Sequence, residues 1–319
     1  MSPCSREDCF APDSTCALGN PDPQKCSAWK GETAPNVNPE PGGDHLVMPW
    51  SGSALGLVDI GFVAGRSKPV VVGIAGPQNA GKTTLLAAWY LLLGRGLVPG
   101  DKRRFAGSYT LSGWEAVANS LRWSPGQPPG FPPHTTSRAG RIPGLLHLAF
   151  RNSEARLRSY LFADAPGEWF QSWGVNRDGP EGGGARWVSE YADVLLLVAD
   201  CEALSGPTLG TARGAFQVLA RRVSAERRGR PVGLVWTKAD KPVSPEMEKS
   251  IRAAVFSLMP DAVEFRVSIV AEASSGSDTG QGLLELLDWT LDAQRLRPLM
   301  PDHKAAGTDP LFLFGARTA

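Results

Sequence analysis

Residues 76–83 read Gly-Pro-Gln-Asn-Ala-Gly-Lys-Thr and fit the pattern G-x-x-x-x-G-K-[ST]. In loops of this pattern the backbone N–H groups surround phosphates, and the lysine reaches the outer phosphates of a nucleotide. Residues 69–75, upstream, are apolar and rich in β-branched side chains, as in a buried parallel strand. Residues 84–93, downstream, predict a helix whose N-terminus faces the phosphates. The stretch therefore predicts a strand, a phosphate-binding loop and a helix, in that order.

The phosphate-binding loop supplies the first candidate site residues. Lys82 is the candidate catalytic cation, and the hydroxyl of Thr83 is the candidate Mg²⁺ ligand. The candidate nucleotide-binding residues of this loop and the start of its helix are Gly76, Gln78, Asn79, Ala80, Gly81, Lys82, Thr83 and Thr84.

Composition narrows the class of protein. The chain has 319 residues, of which 42% are hydrophobic, enough for one large or two modest domains. A formal charge of +1 favours neither nucleic acid nor an anionic membrane as partner. No apolar run approaches the roughly 20 residues of a membrane helix, and no secretory signal is recognisable at the N-terminus. These features predict a protein of the cytoplasm.

Four of the five cysteines, Cys4, Cys9, Cys16 and Cys26, lie near the N-terminus. Clustered cysteines in a reducing compartment are more often metal ligands than disulfides, although the spacing lacks the C-x₂-C pairs of common zinc sites. A four-thiolate zinc site is the leading interpretation. The alternatives are free thiols in a loose tail, disulfides or redox-active cysteines. The surrounding segment, residues 1–44, has seven prolines, seven acidic and three basic residues, so without a metal it is expected to stay disordered.

The rest of the chain predicts an α/β fold. Strand and helix patterns alternate from residue 69 onward, which favours a three-layer domain with a mostly parallel sheet. We assign residues 45–68 to a lead-in, 69–298 to this domain and 299–319 to a C-terminal tail. Residues 94–143 form an enlarged, Gly- and Pro-rich irregular tract with one short helix near 109–121. A hairpin is predicted at 144–163.

Asp164 and Gly167 follow a predicted strand in the pattern D-x-x-G. An aspartate at the end of a strand beside the phosphate-binding loop is the expected partner of Mg²⁺, and Gly167 allows the backbone to approach a γ-phosphate. The glycine-rich tract that continues to residue 184 is typical of a mobile switch.

A third element, Thr-Lys-Ala-Asp at residues 237–240, ends another predicted strand. The three elements in this order resemble the G-boxes of the Ras-like, translation-factor-class (TRAFAC) P-loop GTPases, over about residues 69–295. The resemblance implies binding of GTP and GDP with Mg²⁺, with Asp240 recognising guanine and Lys238 packing along the base, after Thr237 in place of the commoner Asn. It further implies a base-contacting residue at Ser268.

The resemblance also implies a first-switch threonine that contacts Mg²⁺ and the γ-phosphate. Thr136 is preferred for this role over Thr135, and Thr110 is a more distant candidate. Ras-like enzymes place a glutamine directly after D-x-x-G to orient the attacking water. This chain has Glu168 there, which can act as a base but adds negative charge beside the γ-phosphate.

Two loop residues bear on the rate of hydrolysis. Gln78 stands where small GTPases often have glycine, and it can obstruct an arginine supplied by a partner. Asn79 matches the loop of GTPases that use K⁺ as the activating cation, or else it only forms hydrogen bonds within its own loop. Slow intrinsic turnover, stimulated by a partner or by K⁺, is expected.

A narrower resemblance links the Cys-rich leader, the enlarged tract and the sequence Asp-Ala-Pro-Gly-Glu to bacterial double-GTPase proteins. It implies a second GTPase or an effector as partner, in multi-component conflict and defence systems. The leading hypothesis is a GTPase switch, and the alternative is a non-hydrolysing, GTP-bound scaffold. An ATP-using P-loop enzyme is disfavoured by Asp240, and a nucleic-acid-binding zinc module is disfavoured by the acidic leader.

Overall fold

The structure is a computed structural model that describes residues 18, 25–29, 54–65, 67–98, 103–122, 125, 130–132, 143–269 and 280–294. It divides into two units, Met1–Met48 and Pro49–Ala319. In the first unit, the described residues include a turn in which the Trp29 amide donates to the Cys26 carbonyl at 2.9 Å. The second unit contains the α/β domain.

Within the described residues, seven strands form one sheet in the order β2-β3-β4-β1-β5-β6-β7. Strand β3 runs antiparallel to β2 and β4, whereas β4, β1, β5, β6 and β7 are mutually parallel. The strands are β1 (Val70–Ala75), β2 (Arg103–Gly107), β3 (Gly144–Asn152), β4 (Leu157–Asp164), β5 (Val194–Asp200), β6 (Val232–Thr237) and β7 (Val263–Arg266).

The α-helices of the same part of the chain precede, separate and follow these strands. They are α1 (Ile60–Ala64), α2 (Lys82–Gly94), α3 (Leu111–Ala118), α4 (Gly167–Val175), α5 (Gly183–Tyr191), α6 (Cys201–Ser205), α7 (Leu209–Glu226), α8 (Pro245–Phe256) and α9 (Gly280–Asp292). No helix among the described residues is both long enough and apolar enough to cross a bilayer.

The two faces of the sheet carry two separate cores. Alternate strand residues point to opposite faces, so Val71 joins the core beneath α1 and α4–α8, whereas Val72 joins the core beneath α2, α3 and α9. Strands β1, β5 and β6 are buried along their whole length because helices cover both faces. The predicted three-layer α/β fold with a mostly parallel sheet is confirmed, and so is the predicted hairpin, formed by β3 and β4.

The tract at 94–143 contains more regular structure than predicted. The predicted short helix is present as α3, but the edge strand β2 also lies in this tract, antiparallel to β3. The sequence of β2, Arg-Arg-Phe-Ala-Gly, lacks alternating apolar residues because the strand is largely exposed. Pairing with β3, and not its own pattern, makes it a strand.

The glycine-rich tract to residue 184, for which a mobile switch is predicted, contains helices, and its mobility stays a prediction. Helix α4 begins at Gly167 itself, and α5 begins at Gly183. Three aromatic side chains of α4, Trp169, Phe170 and Trp173, are at most 5% exposed and belong to the core. Burial of these side chains stabilises a helix in a stretch whose glycines by themselves favour a loop.

Candidate nucleotide-binding site

The carboxyl ends of β1, β4, β5 and β6 open into one cavity of about 440 Å³. This is the edge of a parallel sheet where the loops and helix N-termini of α/β proteins bind ligands. The cavity is lined by Gln78, Asn79, Ala80, Gly81, Lys82, Thr83, Thr84, Phe131, Pro132, Ala165, Gly167, Glu202, Lys238, Asp240, Lys241 and Ile269. All three sequence elements identified above contribute to it.

Lys82 lies at the end of the cavity that residues 78–84 line, which we call the phosphate end. It is the first residue of α2. Its Nζ donates hydrogen bonds to the carbonyl oxygens of Gly76 at 3.1 Å and Pro77 at 2.9 Å. Burial lowers the pKa of Lys82 to about 8, against the opposing effect of the Asp164 and Glu168 carboxylates. The loop around it uses left-handed backbone conformations at Asn79 (φ 63°) and Gly81 (φ 77°). The phosphate-binding loop therefore surrounds the Nζ atom of its own lysine, Lys82.

Thr83 and Asp164 meet across the gap between α2 and β4. The Thr83 hydroxyl donates to Asp164 Oδ1 at 3.1 Å, although the two residues are 81 positions apart in the chain. A hydroxyl and a carboxylate side by side are oxygen donors suited to Mg²⁺, which keeps several waters and takes few protein ligands. No group of three or more His, Cys, Asp or Glu side chains suited to a metal occurs among the described residues. The pair therefore fits a metal held mainly by a nucleotide and water.

Gly167 closes the phosphate end of the cavity. A Cβ on Gly167 would lie 2.1 Å from the amide nitrogen of Gln78, far inside any allowed contact. Its neighbour Glu168 is in the first turn of α4, and the Glu168 Oε2 atom is buried without a hydrogen bond to any described residue. The backbone of residues 167–168 is thus placed directly over the phosphate-binding loop.

The other end of the cavity is lined by Lys238, Asp240 and Lys241, and we call it the base end. Thr237 connects this base end to the phosphate end. It is 4% exposed, and its hydroxyl donates to the Ala80 carbonyl at 2.8 Å. Because its side chain turns to the loop, Thr237 ties β6 to the phosphate-binding loop.

Lys238 is in the left-handed region (φ 51°) and lines the cavity. Its Nζ donates to Asp200 Oδ2 at 2.9 Å and to Glu202 Oε2 at 2.7 Å. Burial lowers the pKa of Lys238, but the hydrogen bonds to these two carboxylates outweigh it and raise the pKa above its usual range.

Asp240 and Ser268 come together at the base end. The Ser268 hydroxyl donates to Asp240 Oδ1 at 2.7 Å, and Lys241 Nζ lies 3.6 Å from Asp240 Oδ2. Burial raises the pKa of Asp240, but the Ser268 hydrogen bond, with smaller contributions from the backbone and Lys241, holds it below its usual value. The carboxylate is therefore ionised and oriented as a hydrogen-bond acceptor.

Some candidates lie elsewhere. Thr135, Thr136, Cys4, Cys9, Cys16 and the tail at 299–319 lie outside the described residues. Cys26 is described, and it is buried. Thr110 does not line the cavity: it is fully buried at the start of α3, where its hydroxyl accepts from the His147 amide at 2.9 Å. The role of Thr110 is structural.

Several residues of the cavity were not identified from the sequence. They are Phe131, Pro132, Ala165, Glu202, Lys241 and Ile269. Ala165 lies within the D-x-x-G element, and Lys241 and Ile269 directly follow Asp240 and Ser268, so their position beside assigned residues was a signal for them. The sequence did not indicate Glu202 as a site residue, because only the pairing of β5 with β6 brings it next to Lys238.

The fold and this cavity define a P-loop GTPase domain. The family model for Double-GTPase 2 matches residues 70–290, more than two thirds of the chain. The chain belongs to the Double-GTPase 2 family, and its P-loop domain is a GTP-binding domain. The chain has no significant match among proteins with curated descriptions.

Several solved structures are similar to this chain at low identity. Nucleolar GTP-binding protein 1 of Plasmodium falciparum is 14% identical, with 68% of this chain and 87% of that one covered, and a TM-score of 0.39. Era, solved with MgGDPNP and a segment of 16S ribosomal RNA, is 18% identical, with coverages of 73% and 59% and a TM-score of 0.35. Elongation factor SelB of Methanococcus maripaludis is 15% identical, with coverages of 72% and 36% and a TM-score of 0.33.

Proposed function

We propose that the protein hydrolyses GTP to GDP and phosphate in a Mg²⁺-dependent reaction and acts as a regulatory switch. The observation that carries the proposal is the hydrogen bond of 3.1 Å between Thr83 and Asp164, because Thr83 lines the same cavity as Asp240. A cation-binding pair at the phosphate end and an oriented carboxylate at the base end fit the two ends of one guanine nucleotide.

In this proposal each residue has a separate task. Thr83 and Asp164 would hold Mg²⁺, which neutralises charge on the β- and γ-phosphates when bound. Lys82 leaves the carbonyls of its own loop to contact those phosphates, and the N–H groups of the loop bind their oxygens. Glu168 lies beside the phosphate end, where it can orient or deprotonate the attacking water.

At the other end of the cavity, Asp240 accepts hydrogen bonds from N1 and the exocyclic amine of guanine. Adenine cannot make this pair of bonds. Ser268 supports the carboxylate, and Lys238 packs along the base. Thr136 remains the proposed first-switch ligand of Mg²⁺ and the γ-phosphate.

The biological setting is a further part of the proposal. The resemblance to bacterial double-GTPase proteins supports a cytoplasmic role in a multi-component conflict system, with a second GTPase or an effector as partner. Zinc bound by Cys4, Cys9, Cys16 and Cys26 is proposed from their clustering alone. Metal analysis of the purified chain and of Cys4→Ser tests it: a stoichiometric zinc that the substitution removes supports the site, and its absence in both overturns it.

A second candidate function is a GTP-bound scaffold that does not hydrolyse. It is favoured by Glu168, whose carboxylate stands where glutamine normally orients water, and by Gln78, which can obstruct an arginine supplied by a partner. A negative charge at this position repels the γ-phosphate and slows chemistry without preventing binding.

Single-turnover hydrolysis of GTP tests both candidates. The purified protein is mixed with limiting GTP and Mg²⁺ in KCl and, separately, in NaCl. Turnover supports the switch, and faster turnover in KCl supports an activating K⁺ and makes Asn79 the residue to substitute next. Tight binding with no turnover in either salt supports the scaffold or a switch that requires its activating partner. Asp240→Asn serves as the specificity variant: it should move preference from guanine to xanthine, and an unchanged preference for guanine would show that Asp240 does not read the base.

A further inference from the structure

Two carboxylates at the end of β5 hold the side chain of Lys238. Asp200 is the last residue of β5, and Glu202 follows in α6. Lys238 Nζ donates to Asp200 Oδ2 at 2.9 Å and to Glu202 Oε2 at 2.7 Å. Both Glu202 and Lys238 line the cavity, so the ion pair between them forms part of its wall.

The two carboxylates differ in what else they do. The Asp200 side chain is 5% exposed, and its Oδ1 accepts from the amides of Glu202 and Ala203 at the start of α6. Asp200 is therefore needed for the local fold. The Glu202 side chain is 60% exposed and reaches Lys238 from the rim of the cavity. We therefore expect the start of α6 to stay intact when the Glu202 side chain is removed.

We propose that Glu202 is a positioning residue for guanine recognition, which holds the Lys238 side chain across the base end of the cavity before a nucleotide arrives. The inference rests on the proposed roles of Lys238 and Asp240. A lysine stem has four flexible carbons, and ordering it costs conformational entropy. If the stem is ordered in the free protein, that cost no longer weakens nucleotide binding.

An ordinary surface ion pair predicts a different result. Exposed pairs contribute little to stability, and a pair without a role in the cavity has no effect on ligand affinity. The pair Glu154–Arg156 is such a case: its side chains are 63% and 81% exposed, and neither lines the cavity. Glu154→Ala is therefore a matched control.

The experiment measures the affinity of the full chain for GDP by calorimetric titration. For Glu202→Ala we expect GDP binding about three- to tenfold weaker than in the wild type, and for Glu202→Gln a smaller loss. Glu154→Ala should bind GDP like the wild type. Thermal unfolding of each variant verifies that the protein is folded. An unchanged affinity in Glu202→Ala would overturn the proposal.

A double-mutant cycle tests whether Glu202 acts through Lys238. In a Lys238→Met background, Glu202→Ala should cause no further loss, whereas an equal loss in both backgrounds would overturn the proposal. If Lys238→Met does not fold, Glu202→Ala is compared on GDP and on pyrophosphate, with loss expected for GDP alone. A loss that disappears with 2′-deoxy-GDP would mean that Glu202 contacts the sugar, and would also overturn it.

The same measurements separate this inference from the proposed function. A wild-type protein that does not bind GDP, or an Asp240→Asn variant that keeps its preference for guanine, contradicts the guanine-site assignment itself. Normal binding and a shift to xanthine in Asp240→Asn, together with unaffected Glu202→Ala, contradict only the role of Glu202.

Discussion

Gly167 packs against the backbone of Gln78 so closely that only a glycine fits. An added Cβ would lie 2.1 Å from the Gln78 nitrogen and 2.3 Å from the Pro77 carbonyl carbon. The D-x-x-G element and the phosphate-binding loop are thus in direct backbone contact. In the proposed switch, a displacement of one segment would therefore displace the other, as a response to the γ-phosphate requires.

Substituting Gly167 by alanine should therefore push α4 away from the loop. We expect GTP turnover to fall at least about tenfold, since a small misplacement of reacting groups has large effects on rate. The free energy of unfolding should fall by about 1–3 kcal/mol, as for other overpacked sites. Single-turnover kinetics and denaturant titration measure the two effects.

Gly174 offers the control in the same helix. A Cβ there would have Val218 Cγ1 as its nearest neighbour, at 3.5 Å, which is an ordinary contact. Gly174→Ala should keep turnover and raise stability slightly, because alanine favours a helix by up to about 1 kcal/mol over glycine. Equal behaviour of the two variants would contradict the special role of Gly167.

Removing the Thr83 hydroxyl should reduce the increase in nucleotide affinity that Mg²⁺ produces. GDP affinity is measured with Mg²⁺ and with EDTA. In Thr83→Ala and Asp164→Asn, we expect Mg²⁺ affinity about 10- to 100-fold lower than in the wild type, with GDP affinity in EDTA nearly unchanged. Asp178→Asn, a 71% exposed carboxylate outside the cavity, should respond to Mg²⁺ like the wild type. A normal Mg²⁺ response in both site variants would refute this metal assignment.

Ser268→Ala should weaken guanine binding. The variant loses the 2.7 Å hydrogen bond that orients the ionised Asp240, and hydrogen bonds to charged groups contribute about 1.5–3 kcal/mol. We expect GDP affinity about tenfold lower, with pyrophosphate affinity unchanged. Ser257→Ala, whose hydroxyl donates to a carbonyl at the end of α8, is the control. Loss of pyrophosphate binding as well would indicate general damage to the cavity.

His147 should make stability depend on pH between about 6.5 and 4. It is 2% exposed, its Nδ1 accepts from the Tyr109 amide at 3.1 Å, and its ring stacks on Tyr109. Burial lowers the pKa of His147 to about 4. The folded state therefore stays neutral while the unfolded state takes up a proton below pH 6.5, so stability is lost as pH falls. The loss attributable to His147 at pH 5 is about 2 kcal/mol relative to pH 7.

His147→Asn keeps an acceptor for the Tyr109 amide and removes the titration. Urea unfolding at pH 7 and pH 5 should show a smaller pH effect in this variant than in the wild type. If the two proteins lose equal stability between these pH values, another group carries the effect.

The sequence alone determined the class of fold and both ends of the nucleotide site. Residues 76–83 and 237–240 each follow an apolar strand, and in a parallel sheet the carboxyl ends of such strands meet at one edge. For this reason the positions of Lys82, Thr83, Asp164 and Asp240 could be inferred from local pattern and chain order.

Only the tertiary structure decided the contacts between distant segments. The approach of Gly167 to Gln78, and the strand character of β2, depend on neighbours far away in the chain. Burial of three aromatic side chains stabilises α4 as a helix within a glycine-rich tract. Glu202 reached Lys238 only because β5 pairs with β6. Local sequence patterns indicate the conformation and burial that a residue prefers, whereas tertiary packing determines which distant residues come into contact.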